Sequence, residues 1–477
     1  MLLSDHLPAD IPTGTGAALF DVLDPATEAT IARVRDTGWD EWVAALDRAV
    51  AAQEAWSAFS PRQRSEVLRD IFAELTRRIE DFARTMTLEM GKPLAEARGE
   101  VAYGAEYFRW FAEEAVRLPG RAGSSPSGAG DILVTRTPVG PVLAITPWNF
   151  PLAMATRKIA PALAAGCPVL VKPAAETPLT MLLAGKVIAE VCERHGAPRE
   201  LVQILPATDA AGLSSTLMAD PRLRKVTFTG STGVGKLLVR QAADNLLRTS
   251  MELGGNAPFV VHEDADLDLV LTCAIQAKMR NGGEACIAAN RFIVHEAIAG
   301  EFTRRLTEAM SAVTMGHGLD EGVTLGPVIT AGQRDRIASL VDDARASGAT
   351  VLCGGTVPES AGYFYPATVL ADVPAGARIL REEIFGPVAT VTTFATLDEA
   401  IALANDTEFG LAAYGFSENV HVCRRFAAEL HAGMVGINRG AISDAAAPFG
   451  GIKHSGFGRE GGTEGIEEYL DVRYVAL

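Results

Sequence analysis

The chain has 477 residues, 48% hydrophobic and 21% charged, with 43 Lys and Arg against 59 Asp and Glu for a formal charge of −16. At roughly 100–200 residues per domain this length implies two to four domains, and the apolar content supports large buried cores rather than disorder. A chain this acidic, with no run of Lys and Arg longer than a pair, is not built to grip nucleic acid or an anionic lipid surface.

Six cysteines, at 167, 192, 273, 286, 353 and 423, fit neither a disulfide framework nor paired zinc spacing. Residues 1–10 carry Asp5 and Asp10 but no Lys or Arg, so the start does not read as a secretory leader. The uncharged window 138–156 contains Pro138, Pro141, Pro147 and Pro151, which would break a membrane-spanning helix. The expectation is a soluble cytoplasmic enzyme of a reducing compartment.

In chain order, the first 120 residues read as helical after a short lead-in. Trp42, Leu46, Ala49, Val50 and Trp56 recur at helical spacing. Ser60-Pro61-Arg62-Gln63 is a helix start, with an N-cap, a proline in the first turn and Gln three residues on. Leu68, Ile71, Phe72, Leu75, Ile79 and Phe82 then keep to one face. From about 142 the pattern changes to continuous apolar runs at 142–147, 168–173, 202–207, 225–230 and 250–254. Helical stretches near 152–166, 178–195, 210–218 and 231–243 lie between them. Such runs, apolar on both faces and alternating with helices, predict an α/β fold with a parallel sheet that binds ligands at its strands' C-terminal ends. A second alternating block covers 255–450, with strand-like runs at 258–261, 291–295, 350–353, 388–394 and 434–438. Two strand-like segments, 131–138 and 469–477, stand outside either block and need a partner within the chain or on another subunit.

Five of the cysteines lie in apolar or helical runs and read as small buried hydrophobes. Cys286 differs, because it follows Asn281-Gly282-Gly283-Glu284-Ala285, a glycine-rich turn that can expose a thiol as a nucleophile. The loop Gly230-Ser231-Thr232-Gly233-Val234-Gly235-Lys236 approaches a P-loop. Leu237 stands where that motif needs Ser or Thr for Mg²⁺, so an ATP-hydrolysing reading is weak. What remains is a strand, a turn and a helix start, read either as a general phosphate site or as a tight turn with no ligand. Asn149 sits between Pro147 and Pro151, held on a rigid loop where its amide could serve an oxyanion or cap its own turn. Glu252 ends an apolar run and is either a buried structural acid or a general base with a raised pKa. The acidic run Glu263-Asp264-Ala265-Asp266 reads as solvating and capping the next helix, and no metal is assigned.

Seven segments in order resemble the aldehyde dehydrogenase superfamily over nearly the whole chain, from about residue 20. They are Thr146-Pro147-Trp148-Asn149-Phe150-Pro151, Lys172-Pro173-Ala174-Ala175-Glu176-Thr177-Pro178, 228–235, Glu252-Leu253-Gly254-Gly255, Cys286, Glu382-Glu383-Ile384-Phe385-Gly386-Pro387, and Pro448-Phe449-Gly450-Gly451. The resemblance implies Cys286 as nucleophile, Glu252 as base and Asn149 as oxyanion donor. It implies Lys172 at the adenosine ribose, Ser231 at the pyrophosphate, and Glu383 with Phe385 at the nicotinamide ribose. Thr146, Pro147, Trp148, Gly230 and Leu253 would also line the cofactor. The implied organisation is a Rossmann-type cofactor domain at 1–120 and 140–252 and an α/β catalytic domain at 253–454. A small β oligomerisation element at 121–139 and 455–477 would make a homodimer or homotetramer.

Arg157 lies eight residues after Asn149 and Arg280 six before Cys286. As a pair they read as a clamp for an anion at the far end of a small aldehyde, by bidentate contacts. Both positions, and Ser443 in Asn438-Arg439-Gly440-Ala441-Ile442-Ser443, resemble the carboxylate-binding residues of succinate-semialdehyde dehydrogenases; Phe449 would line the same pocket. Many of those enzymes carry a second cysteine two after the nucleophile; Ala288 stands here, so no redox-switch disulfide is expected. Ala175 replaces the Glu with which NAD-preferring members grip the ribose, leaving room for a 2′-phosphate, so NADP is expected over NAD. A glutarate-semialdehyde or other ω-carboxy-aldehyde dehydrogenase is the alternative, and a CoA-acylating enzyme is less favoured because Glu252 equips the site for hydrolysis. A non-catalytic binding protein on the same fold is opposed by the intact Cys286, Glu252 and Asn149.

Overall fold

The computed structural model describes residues 7–14, 18–118 and 120–477. Asp5 of the leader reading, and the first residues of the expected cofactor domain, lie outside them. Among the described residues no helix is long and apolar enough to cross a membrane.

Five parallel strands form the first sheet in the order Arg248–Glu252, Lys225–Thr229, Val142–Ile145, Val169–Lys172, Val202–Ile204, with the short Gly456–Phe457 antiparallel at one edge. From its first strand the chain builds outward to one side, then returns to add two strands on the other. That reversal creates a crevice at the strand ends between Val142–Ile145 and Lys225–Thr229. Leu143, Leu170, Val226 and Met251 face one core, with Trp42 and Leu46 of the first helix. Val142, Ala144, Val169 and Val171 face the other, against the helices Ala153–Ala165 and Leu179–Arg194. These strands are buried on both faces, which explains why their sequences run apolar without alternation.

The second sheet has seven strands, ordered Thr350–Cys353, Thr368–Ala371, Val388–Phe394, Ala289–His295, Ala257–Val261, Ala412–Phe416, Met434–Ile437. All pair in parallel except the edge strand Thr350–Cys353. The segments 131–138 and 469–477 find each other: Asp131–Pro138 pairs antiparallel with Leu470–Ala476 on one side and Arg121–Ser124 on the other.

Several expectations need correction. The lead-in is a β-ribbon, Leu19–Leu23 with Thr30–Arg35, whose outer face carries polar residues such as the ion pair Arg33–Asp21. The face from Leu68 to Phe82 belongs to two helices, Pro61–Arg77 and Ile79–Met90, that meet at Arg78. Cys353 and Cys423 are half-buried rather than buried, because one sits on the edge strand and the other on the helix Val420–Glu429. The helix start at Ser60 is as read: the Ser60 hydroxyl accepts from the Gln63 N–H, and Gln63 Oε1 accepts from the Ser60 N–H.

Candidate active site

The strand ends of the first sheet face the strand beginnings of the second. Asn149, Ser231 and Glu252 come from just beyond, or at, the C-terminal ends of Val142–Ile145, Lys225–Thr229 and Arg248–Glu252. Cys286, Glu383 and Phe385 come from the loops that precede Ala289–His295 and Val388–Phe394. Side chains far apart in sequence therefore meet where the two sheets abut.

The loop carrying Cys286 is tightly specified. Asn281, Gly282 and Gly283 all have positive φ, at 54°, 60° and 77°, a run of left-handed residues that glycine, and Asn among side-chain-bearing residues, adopts most readily. A β-carbon at Gly283 would stand 2.2 Å from the Gly386 carbonyl oxygen, so this turn is also packed against the loop that bears Phe385. Asn281 steadies it, its Nδ2 donating to the carbonyls of Asn149 and Glu284 at 2.9 and 3.1 Å. Asn149 Nδ2 in turn donates to the Glu284 carbonyl at 2.9 Å, while Lys92 Nζ donates to the Asn149 carbonyl at 2.8 Å. The amide of Asn149 is thus aimed at the backbone two residues before the sulfur, and it retains a second N–H.

Cys286 stands between two cavities. One, of about 400 Å³, is lined by Pro147, Trp148, Asn149, Thr229, Gly230, Ser231, Leu253, Gly254, Gln333, Arg336, Glu383 and Phe385. The other is a narrow pocket between Tyr103, Phe150, Met154, Arg157, Arg280, Ile287, Ser443 and Phe449. Burial pushes the Cys286 thiol up to about 12 against the pull of Arg157, and the Glu383 and Glu252 carboxylates push the same way. That balance favours the thiol over the thiolate.

Glu252 is 3% exposed and its Oε2 has no hydrogen-bond partner among the described residues. Burial, and then the nearby Glu460, raise its proton affinity well above that of an ordinary carboxylate, with Arg157 and Lys158 opposing. Glu460 itself is gripped by Lys158 and Arg157. Burial works to raise its pKa, but these two cations outweigh burial and hold it low. Lys158 Nζ also donates to Thr229 Oγ1 at 2.6 Å. The Arg157 guanidinium lies 3.8 Å over the Phe449 ring, and Phe449 and Glu460 exchange backbone hydrogen bonds of 2.7 and 2.8 Å. One short bridge therefore presents both the ring and the carboxylate to Arg157.

The residues of the larger cavity suit a dinucleotide. Ser231 caps the eleven-residue helix Thr232–Ala242 at the cavity, where free N–H groups and the helix dipole favour phosphate. Glu383 accepts from the Gly255 N–H at 2.9 Å, and burial pushes its carboxyl up to about 7 despite that bond. Its other oxygen is available to ribose hydroxyls. Trp148 and Phe385 meet edge to face, with centroids 5.3 Å apart. Lys172 and Ala175 do not line this cavity. They lie on and beyond the neighbouring strand, where Thr146 N–H donates to the Lys172 carbonyl at 3.1 Å. Burial lowers the Lys172 amine's proton affinity, with Glu176 opposing.

Sequence reasoning missed Tyr103, Gln333, Arg336, Lys158 and Glu460. Gln333 Nε2 donates to the Phe385 carbonyl at 2.7 Å; of the five only Glu460 lies in a glycine-rich stretch, Gly456-Phe457-Gly458-Arg459-Glu460-Gly461-Gly462, and the other four sit in no distinctive motif. Of the acidic run, Asp266 caps the helix Leu267–Met279, while Asp264 accepts from Ser417 and the Asn419 N–H. Lys236 of the near P-loop reaches His454 at 3.4 Å. Among the described residues no group of His, Cys, Asp and Glu is placed to hold a metal ion.

Residues 13–475 match the aldehyde dehydrogenase family, and the chain belongs to that family. It is 56% identical over 438 residues to the succinate-semialdehyde dehydrogenase of Paenarthrobacter nicotinovorans, covering 92% of this chain and 96% of that one. It is 44% identical over 458 residues to the NADP(+) succinate-semialdehyde dehydrogenase GabD of Escherichia coli (strain K12), covering 96% and 94%. Among solved structures, the succinate-semialdehyde dehydrogenase of Burkholderia pseudomallei superimposes with a TM-score of 0.93 at 43% identity, covering 96% and 94%.

Proposed function

We propose that this aldehyde dehydrogenase oxidises succinate semialdehyde to succinate with NADP⁺ in preference to NAD⁺. The observation that carries the reading is the position of Cys286. It stands between a cavity fitted to a dinucleotide and a pocket walled by Arg157, Arg280 and Ser443. The names of the relatives above point the same way.

In this reading the Cys286 thiol loses its proton to Glu252, which passes it to solvent, and Sγ attacks the aldehyde carbon, the oxyanion receiving hydrogen bonds from Asn149 Nδ2 and a backbone N–H near the sulfur. The bound nicotinamide supplies the hydride acceptor. Glu252, whose buried carboxylate binds a proton strongly, then takes one from the water that cleaves the thioester. Arg157 and Arg280 hold the substrate carboxylate. Thr146, Pro147, Trp148, Gly230, Ser231 and Leu253, with Glu383 and Phe385, hold the cofactor, and Lys172 holds its adenosine ribose. Ala175, after Lys172, leaves space and no negative charge for a 2′-phosphate.

The domain roles follow: residues 1–120 and 140–252 bind cofactor, and 253–454 carry the nucleophile. Residues 121–139 and 455–477 join copies of the chain as a homodimer or homotetramer through the three-stranded sheet, which exposes Val472 and Tyr474. The deciding experiment is a panel of aldehydes with and without a terminal carboxylate, assayed with each cofactor. The proposal expects succinate semialdehyde with NADP⁺ to give the highest kcat/KM. Indifference to the carboxylate would defeat the substrate assignment, and a tenfold advantage for NAD⁺ would defeat that of the cofactor. Glutarate semialdehyde in the panel tests the longer substrate, since one methylene is worth only ~1–3 kcal/mol.

A further inference from the structure

Tyr103 and Tyr107 lie one turn apart on the helix Leu94–Glu114, with their phenol oxygens 2.6 Å apart. Tyr107 is completely buried. Tyr103 is half-buried and forms part of the wall of the pocket that holds Cys286, Arg157, Arg280 and Ser443. Among the described residues neither hydroxyl has another hydrogen-bond partner.

Two hydroxyls bring two protons to this one hydrogen bond, so one proton is left over. Were Tyr103 the donor, the proton of Tyr107 would be stranded in the interior, and an unpaired buried donor is costly. Tyr107 therefore donates to Tyr103, and the proton of Tyr103 is free to turn into the pocket. Accepting one hydrogen bond strengthens a hydroxyl as a donor of the next. The pair also stands beside both guanidiniums: Arg280 lies 5.4 Å from the centroid of the Tyr103 ring and Arg157 lies 5.8 Å from that of Tyr107.

We propose that the Tyr103 hydroxyl donates a hydrogen bond to the terminal carboxylate of the substrate, with Tyr107 fixing the direction of that proton, and that it sets the preference for ω-carboxy aldehydes. A carboxylate offers about four lone-pair sites, so a hydroxyl beside two guanidiniums has an acceptor to meet. This rests on the proposed clamp of Arg157 and Arg280.

The test compares kcat/KM for succinate semialdehyde and for butanal, which has the same chain length without the charge, in wild type, Tyr103→Phe, Tyr107→Phe, Tyr103→Phe/Tyr107→Phe and Arg280→Ala. The Tyr103→Phe change lowers the ratio of the two by about tenfold, as expected for loss of one hydrogen bond to a charged group. The double variant strands no buried hydroxyl and loses the same factor, while Tyr107→Phe, which keeps the donor, loses less. Protection of Cys286 from iodoacetamide by succinate weakens in the same order, a readout that needs no turnover. An unchanged ratio in both Tyr103 variants, with Arg280→Ala collapsing it, overturns the donor and leaves the clamp standing. A wild type indifferent to the carboxylate overturns both.

Discussion

The carbonyl of Cys286 packs against the α-carbon of Gly255 so closely that a β-carbon there would stand 2.1 Å from the oxygen. Gly255 also gives its N–H to Glu383 at 2.9 Å. This one glycine therefore fixes the height of the nucleophile and the position of a carboxylate in the larger cavity. Gly255→Ala must push the two loops apart, and overpacking of this kind costs ~1–3 kcal/mol. The expected result is a lower melting temperature together with at least a tenfold loss of kcat. Full activity at an unchanged melting temperature would show that the contact is slack.

Asn149 is held by its backbone as much as by its side chain, since its carbonyl accepts from Lys92 and Asn281. Truncating it to Ala leaves those bonds in place and removes the amide with its bond to the Glu284 carbonyl, which Asn281 still holds. If that amide meets the oxyanion, Asn149→Ala lowers kcat by ~10²–10³, with a much smaller change in KM. Single-turnover measurement of reduced cofactor would show the same loss. A defect confined to KM would assign Asn149 to binding instead.

The thiol of Cys286 is pushed up to about 12, by burial first and by the Glu383 and Glu252 carboxylates as well. Its reactive form is the thiolate, and a raised pKa means that this form is scarce at neutral pH and grows as pH rises. In the cofactor-free enzyme, alkylation of Cys286 by iodoacetamide should accelerate about tenfold per pH unit from 7 to 10 without levelling off. Peptide mapping separates it from the half-buried Cys353 and Cys423. A plateau near pH 8 would mean that the sulfur is already activated at rest.

How much of this was legible in the sequence depends on how local the signal is. The strands of the first sheet are short buried runs and the helix start at Ser60 is a self-contained hydrogen-bonded device, so both could be read directly. Ala412–Phe416, Ala-Ala-Tyr-Gly-Phe, carries little β propensity; it is a strand because Ala257–Val261 and Met434–Ile437 flank it. Cys286 announced itself through two glycines, and Arg157 and Arg280 through their nearness to other motifs. Glu460 also lies among glycines, Gly458, Gly461 and Gly462, but they say nothing of what its carboxylate meets. Its importance comes from a backbone bridge to Phe449 and from two cations some 300 residues earlier in the chain, a relationship that exists only in three dimensions.

The two clamp arginines are not equivalent. Arg157 is 1% exposed and ion-paired with Glu460, whereas Arg280 is half-buried over the rings of Phe150 and Tyr103, at 5.0 and 5.4 Å, with no carboxylate bound to it among the described residues. Breaking a buried pair by removing one partner typically costs ~3–5 kcal/mol, so Arg157→Ala should lower stability and activity together. Arg280→Ala removes a cation that has no structural partner to abandon. It should leave the denaturation midpoint within about 0.5 kcal/mol of wild type while reducing kcat/KM for succinate semialdehyde ~10–100-fold, as expected for losing a charge-assisted hydrogen bond. Urea denaturation and steady-state kinetics on both variants separate the two roles. Equal destabilisation by both would place Arg280 in the core, and an unchanged kcat/KM in Arg280→Ala would leave Arg157 as the only cation in the pocket that meets the substrate.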